Sequence, residues 1–289
     1  MQDILERFVF DDAPVRGELV QLHDTLHEVL DRHAYPPVLQ KIIGELMAAA
    51  SLLSATLKFE GTLIMQLHGS GPVKLIVVEC TSDMTMRATA RWDGEVPEGT
   101  LSDLLGEGKF VMTLDPDEGE PYQGIVAYQP GQSVAEIIEH YMRSSEQLET
   151  RIWLASQNSG AAGLLVQKMP AGKGDADAWD RIQKLSETIT REELLGLAPR
   201  DVLYRLFNQE LVRVFDPQTP RFACTCSRER VGGMLKMVGH EEVEGVIEER
   251  GKVEVTCEFC GKEYGFDAVD VAQLFAGGST TIAPGNQVH

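Results

Sequence analysis

Positive charge is scarce in this 289-residue sequence: 26 Lys and Arg stand against 45 Asp and Glu, a formal net charge of -19. A chain so acidic repels phosphate backbones, which removes nucleic acid as a default partner. Long apolar runs are missing as well. The best stretch, Met47 to Leu57, is short and broken by Ser51, Ser54 and Thr56, below the roughly 18 to 20 residues of a membrane-spanning helix, so no span is expected. Met1 to Phe10 carries Asp3 and Glu6 and lacks the basic, apolar and small-residue segments of a secretory leader, which points to the reducing cytoplasm. No phosphate-cradling loop occurs, because Gly106-Glu107-Gly108-Lys109 and Gly172-Lys173-Gly174 both depart from GxxxxGK(S/T), and ATP hydrolysis is not expected. His23, His27, His33, His68 and His140 are scattered with no serine or cysteine beside them in a triad-like order, although His23 and His27 could share a helix face.

What is present is an ordinary globular composition, 43% hydrophobic and 25% charged, which excludes disorder throughout. The fold class expected is α+β: an N-terminal mixed α/β domain over 1–174, a helical linker over 175–222, a small four-cysteine domain over 223–275 and a polar tail over 276–289. Pro37 fits the first turn of a helix reaching about Leu57, and Val38, Leu39, Ile42, Ile43, Leu46, Met47, Ala50 and Leu53 fall on one of its faces. Ala48 and Ala49 beside that face predict a central, buried helix. β-rich runs follow at Thr62–Leu67, Val73–Cys80, Met84–Trp92, Phe110–Leu114 and Gly124–Tyr128, spaced as a largely antiparallel meander. Ser133 and Glu136 form a capping box for a second helix, and strands at Arg151–Ser156 and Gly163–Lys168 are expected to close the sheet. Ala171 to Asp175 reads as a flexible joint. Beyond it, Ala178–Ile189 and Arg191–Gln209 carry apolar stripes that short helices cannot bury alone, so their stability is conditional on another surface.

Cysteine is rare, yet four of the five crowd together as Cys224-x-Cys226 and Cys257-x-x-Cys260. In a reducing compartment such pairs indicate a metal or redox site before structural disulfides, and two close pairs can converge on one tetrahedral zinc. Val253–Thr256 and Tyr264–Phe266 read as strands flanking a knuckle turn at Cys257–Lys262, with Gly261 permitting its tight bend. The spacing leaves open whether the four thiolates are a permanent zinc staple or a redox device. Cys80 ends an apolar run and reads as a core residue. His240-Glu241 opens like a zinc-protease helix, but Glu244 stands where the second histidine belongs. The acidic run Glu241–Glu249 reads as a solvated face with Val243, Val246 and Ile247 beneath it.

Phe222-Ala-Cys224-Thr-Cys226-Ser-Arg-Glu-Arg230, then Cys257-Glu-Phe-Cys260 and Tyr264-Gly-Phe-Asp267, resemble the bacterial redox-regulated holdase chaperones of the thirty-three-kilodalton heat-shock family. Val15-Arg-Gly-Glu18, Tyr35-Pro-Pro37, Ala55-Thr-Leu-Lys-Phe59, Tyr122-Gln-Gly-Ile-Val126 and Ser145-Glu-Gln-Leu148 with Thr150-Arg151 are similar to its landmarks; Glu149 departs, standing where the family has proline. The resemblance implies an ATP-independent holdase rather than an enzyme, inactive when reduced and carrying one zinc per chain on Cys224, Cys226, Cys257 and Cys260. It implies oxidation to Cys224–Cys226 and Cys257–Cys260 disulfides, zinc release, an unfolded switch and linker, binding of unfolding clients, an active homodimer and handover to ATP-driven chaperones. The alternative is a zinc ribbon with a static metal that binds nucleic acid or protein, but eleven acidic and six basic side chains from Ser227 onward oppose nucleic acid. A thiol oxidoreductase is disfavoured because Cys257 follows a strand instead of opening a helix.

Overall fold

A computed structural model describes residues 2–57, 60–157, 159–170 and 177–276, and the chain divides into units Met1–Ala223 and Cys224–His289. The joint expected at Ala171–Asp175 and the tail from Gly277 lie outside the described residues. The first unit runs β1 (Ile4–Phe10), β2 (Val15–Leu22), α1 (Asp24–Leu30), α2 (Pro37–Thr56), β3 (Gly61–Gly69), β4 (Val73–Thr81), β5 (Thr85–Trp92), α3 (Leu101–Leu105), β6 (Gly108–Pro116), β7 (Tyr122–Ala127), α4 (Val134–Ser144), β8 (Thr150–Gln157), β9 (Gly160–Lys168), α5 (Ala178–Ser186), α6 (Arg191–Gly196), α7 (Pro199–Phe207), β10 (Val212–Val214) and β11 (Arg221–Phe222). The second runs α8 (Arg228–Val238), α9 (His240–Arg250), β12 (Lys252–Thr256), β13 (Glu263–Asp267) and α10 (Ala268–Ala276). This is the α+β architecture expected from the sequence.

α2 starts at Pro37, whose missing N–H costs nothing in a first turn. It is 20 residues long and apolar enough to cross a membrane, but 72% of that window is buried inside the protein. Its small residues, Gly44, Ala48, Ala49, Ala50, Ser51 and Ser54, let strands of both sheets approach closely. Leu39, Ile43, Leu46 and Met47 join Leu63, Met65, Val78 and Leu165 in one core. The expected meander is present as β5-β4-β3-β6-β7, antiparallel throughout, with β11 added in parallel beside β5. The Ser133 capping box is present too: the Ser133 hydroxyl accepts from Glu136 N–H and the Glu136 carboxylate accepts from Ser133 N–H.

One expectation is corrected. β8 and β9 do not close the meander; they belong to a separate five-stranded sheet, ordered β10-β1-β2-β9-β8. β9 is buried along nearly its whole length, as a central strand covered on both faces must be. α2 covers one face of this sheet. On the other lie α5, α6 and α7, whose Ile182, Leu194, Val202, Leu206 and Phe207 meet Phe8, Phe10, Leu19 and Leu164. The Phe207 ring stands edge-on to Phe10 at 5.0 Å and lies 5.9 Å from Phe8. The apolar stripes of 178–207 thus find their second surface on this sheet.

Two residues of β2 show how tightly that sheet is filled. A Cβ on Gly17 would fall 2.2 Å from Phe8 Cζ and 2.8 Å from the Leu165 carbonyl oxygen. Gly17→Ala is therefore expected to cost about 1–3 kcal/mol by overpacking and to loosen α7 through Phe8; an unchanged urea midpoint would contradict this. Glu18 is buried opposite Arg7, and burial pushes its carboxyl up to about 8 against the pull of Arg16 and Arg7. The folded chain then holds a proton that the unfolded chain releases above about pH 4.5. Its contribution to stability is full below that value and falls, by at most about 1.4 kcal/mol per pH unit, as pH rises towards 8. Glu18→Gln should flatten the fall, measured by urea unfolding at a series of pH values; an equal slope in both proteins would contradict the assignment.

Candidate metal centre

The second unit has little apolar material of its own. Among the described residues its buried core is Val231, Leu235, Val243, Val253, Tyr264, Phe266 and Val271, with Val246, Ile247, Val255, Leu274 and Phe275 half-buried against it, a small core for some fifty residues. Cys224 and Cys226 lie on the segment leading into α8, whose Ser227 side chain caps the helix by accepting from Arg230 N–H at 3.2 Å. Arg230 Nη1 donates to Thr225 Oγ1 at 2.7 Å, fixing the residue between the two sulfurs. Cys257 and Cys260 occupy the turn between β12 and β13. There Gly261 N–H donates to the Cys257 carbonyl at 2.8 Å and Cys257 N–H to Lys262 at 2.9 Å, with Gly261 at φ +71°, a left-handed bend that suits glycine.

These two loops bring all four sulfurs within 4.8 Å of one another. Cys224 Sγ lies 3.7 Å from Cys257 Sγ, and Cys226 Sγ lies 3.4 Å from Cys260 Sγ. A tetrahedral zinc with bonds of about 2.3 Å would set its sulfurs about 3.8 Å apart, so the cluster is the right size for one such ion, with every ligand position filled by protein. In a tetrahedron all edges are equivalent, and the two closest contacts describe the reduced cluster without selecting an oxidised pairing.

Four thiols this close cannot all ionise unless a cation joins them. Burial pushes the Cys257 thiol up, and burial together with neighbouring sulfurs pushes Cys260 up to about 12. Burial also opposes ionisation of Cys226, but the Tyr264 hydroxyl and the other thiols outweigh it and bring this sulfur down to about 7. Tyr264 Oη donates to Cys226 Sγ at 3.1 Å, its ring held in the core by the β12–β13 pairing Val255↔Tyr264. Arg228 braces the same region: it donates to the Gly265 carbonyl at 2.7 Å, pairs with Asp270 at 2.7 Å and stacks 4.3 Å from the Phe266 centroid.

Sequence reasoning placed Tyr264 on a strand and both Tyr264 and Arg228 within family-like motifs, but gave neither a role beside the sulfurs. The signal available was the alternation of Tyr264 and Phe266 on a strand returning from the second cysteine pair, which turns both rings toward one side. Other candidates fall away from the centre. His240 opens α9, pairs with Glu244 at 3.4 Å and rests 4.7 Å from the Phe275 ring. Cys80 is fully buried in β4, where burial pushes its thiol up to about 12. His23 faces the Ser159 carbonyl at 2.8 Å, away from any cluster of ligands. Among the described residues, the four cysteines are the only group of three or more His, Cys, Asp or Glu arranged to hold a metal ion.

The chain matches the family model described as Hsp33 protein over residues 3–267, and it belongs to that family. It is 52% identical over 276 residues to a 33 kDa chaperonin of Chromobacterium violaceum, covering 94% of each chain. Identity is 50% over 293 residues to a 33 kDa chaperonin of Methylobacillus flagellatus, covering 100% of this chain and 99% of the relative. The crystal structure of the 33 kDa chaperonin of Thermotoga maritima shares the fold, with a TM-score of 0.81 at 23% identity over 95% of this chain and 98% of the other.

Tyr264→Phe keeps the ring and removes only the hydroxyl beside Cys226. It is expected to weaken binding of a thiophilic divalent ion by about tenfold, the lower end for a lost outer-shell hydrogen bond. Competition with a chromophoric chelator measures this, and equal affinity in the two proteins would show that the hydroxyl contributes nothing.

Proposed function

We propose that this protein is a redox-switched, ATP-independent holdase whose resting form carries one zinc per chain on Cys224, Cys226, Cys257 and Cys260. The observation that carries the proposal is the closed set of four sulfurs within 4.8 Å, held by a module with a small core among its described residues. Bound zinc would cross-link the two loops, an interaction worth roughly 10 to 16 kcal/mol in small domains and comparable with the roughly 5 to 15 kcal/mol stability of whole proteins. A site with no open ligand position suits a structural and sensing role better than a catalytic one.

The chain's own chemistry then provides the switch. Cys224 with Cys226, and Cys257 with Cys260, each form a disulfide by giving two electrons to an oxidant. If the oxidant is hydrogen peroxide, each molecule also takes up two protons and leaves as two waters. Disulfide sulfurs no longer bind the cation, and the module loses the cross-link that offset its small core. β11 ends at Phe222, two residues before Cys224, so unfolding of the module frees the C-terminal anchor of 175–222, read here as a metastable linker. Its helices then leave the sheet, and the apolar surfaces on both sides become available to unfolding clients. A net charge of -19 would keep loaded complexes in solution. The family relationship extends the proposal to a homodimeric active form that hands clients to ATP-driven chaperones in the cytoplasm, with no part for nucleic acid or membrane.

The test is zinc content and suppression of aggregation on one purified sample, reduced and then treated with peroxide at elevated temperature. About one zinc per chain should be released, and a new anti-aggregation activity should appear that reductant abolishes. Zinc retained, or lost without chaperone activity, would make the four cysteines a static staple.

A further inference from the structure

One short stretch of chain, 211–223, closes an edge of each sheet in the first unit. β10 lies antiparallel on the outer edge of β1 in the register Phe8↔Val214, Val9↔Arg213 and Phe10↔Val212. The pairing continues on either side: Asp11 N–H donates to the Leu211 carbonyl at 2.9 Å, Phe215 N–H to the Arg7 carbonyl at 2.9 Å, and Leu5 and Gln218 exchange two bonds of 2.9 Å. The chain then crosses to the other sheet, where β11 lies parallel to β5. Arg221 N–H donates to Met84 at 3.0 Å and Ala223 N–H to Met86 at 3.1 Å. β10 and β11 are the terminal strands of their sheets, so β1 and β5 would be edge strands without them.

The seal combines ladder hydrogen bonds with half-buried packing of Val212, Val214 and Phe222. The strands are three and two residues long, and Leu211 and Phe215 remain 63% and 41% exposed. The flanking pairs Arg213–Asp11 and Arg221–Asp83 are solvent-exposed, a class of contact that contributes little. β1 and β5 keep their inner neighbours β2 and β4 whatever happens to 211–223. An edge strand with unpaired N–H and C=O groups is a template for another extended chain, and such pairing tolerates almost any sequence.

We propose that the edges of β1 and β5 vacated by 211–223 take up extended segments of unfolded client protein by strand addition. This rests on the switch proposed above and says where and how the client is held. Both edges already accept extended backbone in the resting chain, which is direct evidence of the geometry they recognise. An unfolded client offers the same extended main chain that 211–223 offers to both edges in the resting form.

Residue-resolved hydrogen exchange on the full-length protein tests this, with reduced and carboxymethylated α-lactalbumin as a client that cannot refold. In the reduced, zinc-loaded protein the Leu5 and Asp11 amides are protected by Gln218 and Leu211. Oxidation should speed their exchange by about tenfold or more as the segment leaves, and adding client should slow it again, while amides of β7, the edge of the other sheet that 211–223 does not cover, stay unchanged. The proposal is overturned if client leaves Leu5 and Asp11 exchanging as fast as in the client-free oxidised protein, or protects β7 instead. It is also overturned if protection returns without client as protein concentration rises, which would mark a second copy on the edge. If oxidation alone leaves 211–223 protected, the switch itself fails, a result visible before any client is added and distinct from the others.

Discussion

Four sulfurs within 4.8 Å of one another are the constraint on which the rest of this molecule turns. Held this close as thiolates they repel; joined by a cation they would form the strongest cross-link available to residues 224–276. The surrounding module has a small core among the described residues, seven buried side chains with Val246, Ile247, Val255, Leu274 and Phe275 half-buried against them. Tyr264 and Arg228 refine this arrangement without replacing it. One donates to Cys226 and the other ties α8 to β13 and α10, so both hold the loops that present the sulfurs.

The first unit is built on the opposite principle. α2 lies buried among strands of two sheets, and its core continues through α4 by side-chain packing. Between these extremes sit α5 to α7 and the segment 211–223. Their apolar residues are buried against the sheet around Phe8, Phe10 and Leu19, but they bury one face each and end at the first cysteine pair. Stability is therefore graded along the chain, high where burial alone suffices and conditional where it does not. On the proposed switch, such grading would let loss of a cross-link open one region while leaving the two sheets standing.

Much of this was legible in the sequence, for identifiable reasons. The apolar spacing from Val38 to Leu53 with Pro37 at its start marks α2, the Ser133–Glu136 box marks α4, and the strand–knuckle–strand pattern around Cys257 marks β12 and β13. The convergence of the two cysteine pairs followed from spacing and from the family resemblance. What stayed hidden depends on long-range pairing. Nothing local says that β8 and β9 join β2 instead of the meander, and β1 and β2 went unread because they carry charged residues such as Glu6, Arg7, Arg16 and Glu18 that the fold buries or half-buries. β10 and β11 are too short to leave any periodicity, so their sealing of two sheet edges is visible only in three dimensions. Tyr264 escaped because a tyrosine on a strand reads as packing until its hydroxyl is seen beside a sulfur.

The most direct test of this graded architecture is a residue-resolved amide NMR spectrum of the full-length protein before and after peroxide treatment. The account predicts that resonances from 224–276 and 178–223 collapse to the narrow dispersion of unfolded chain, while those of α2 and of β2 to β9 keep their native positions. A spectrum in which the four-cysteine module stays dispersed once its thiols are oxidised would contradict it, because the module would then be standing without the cross-link it is held to require.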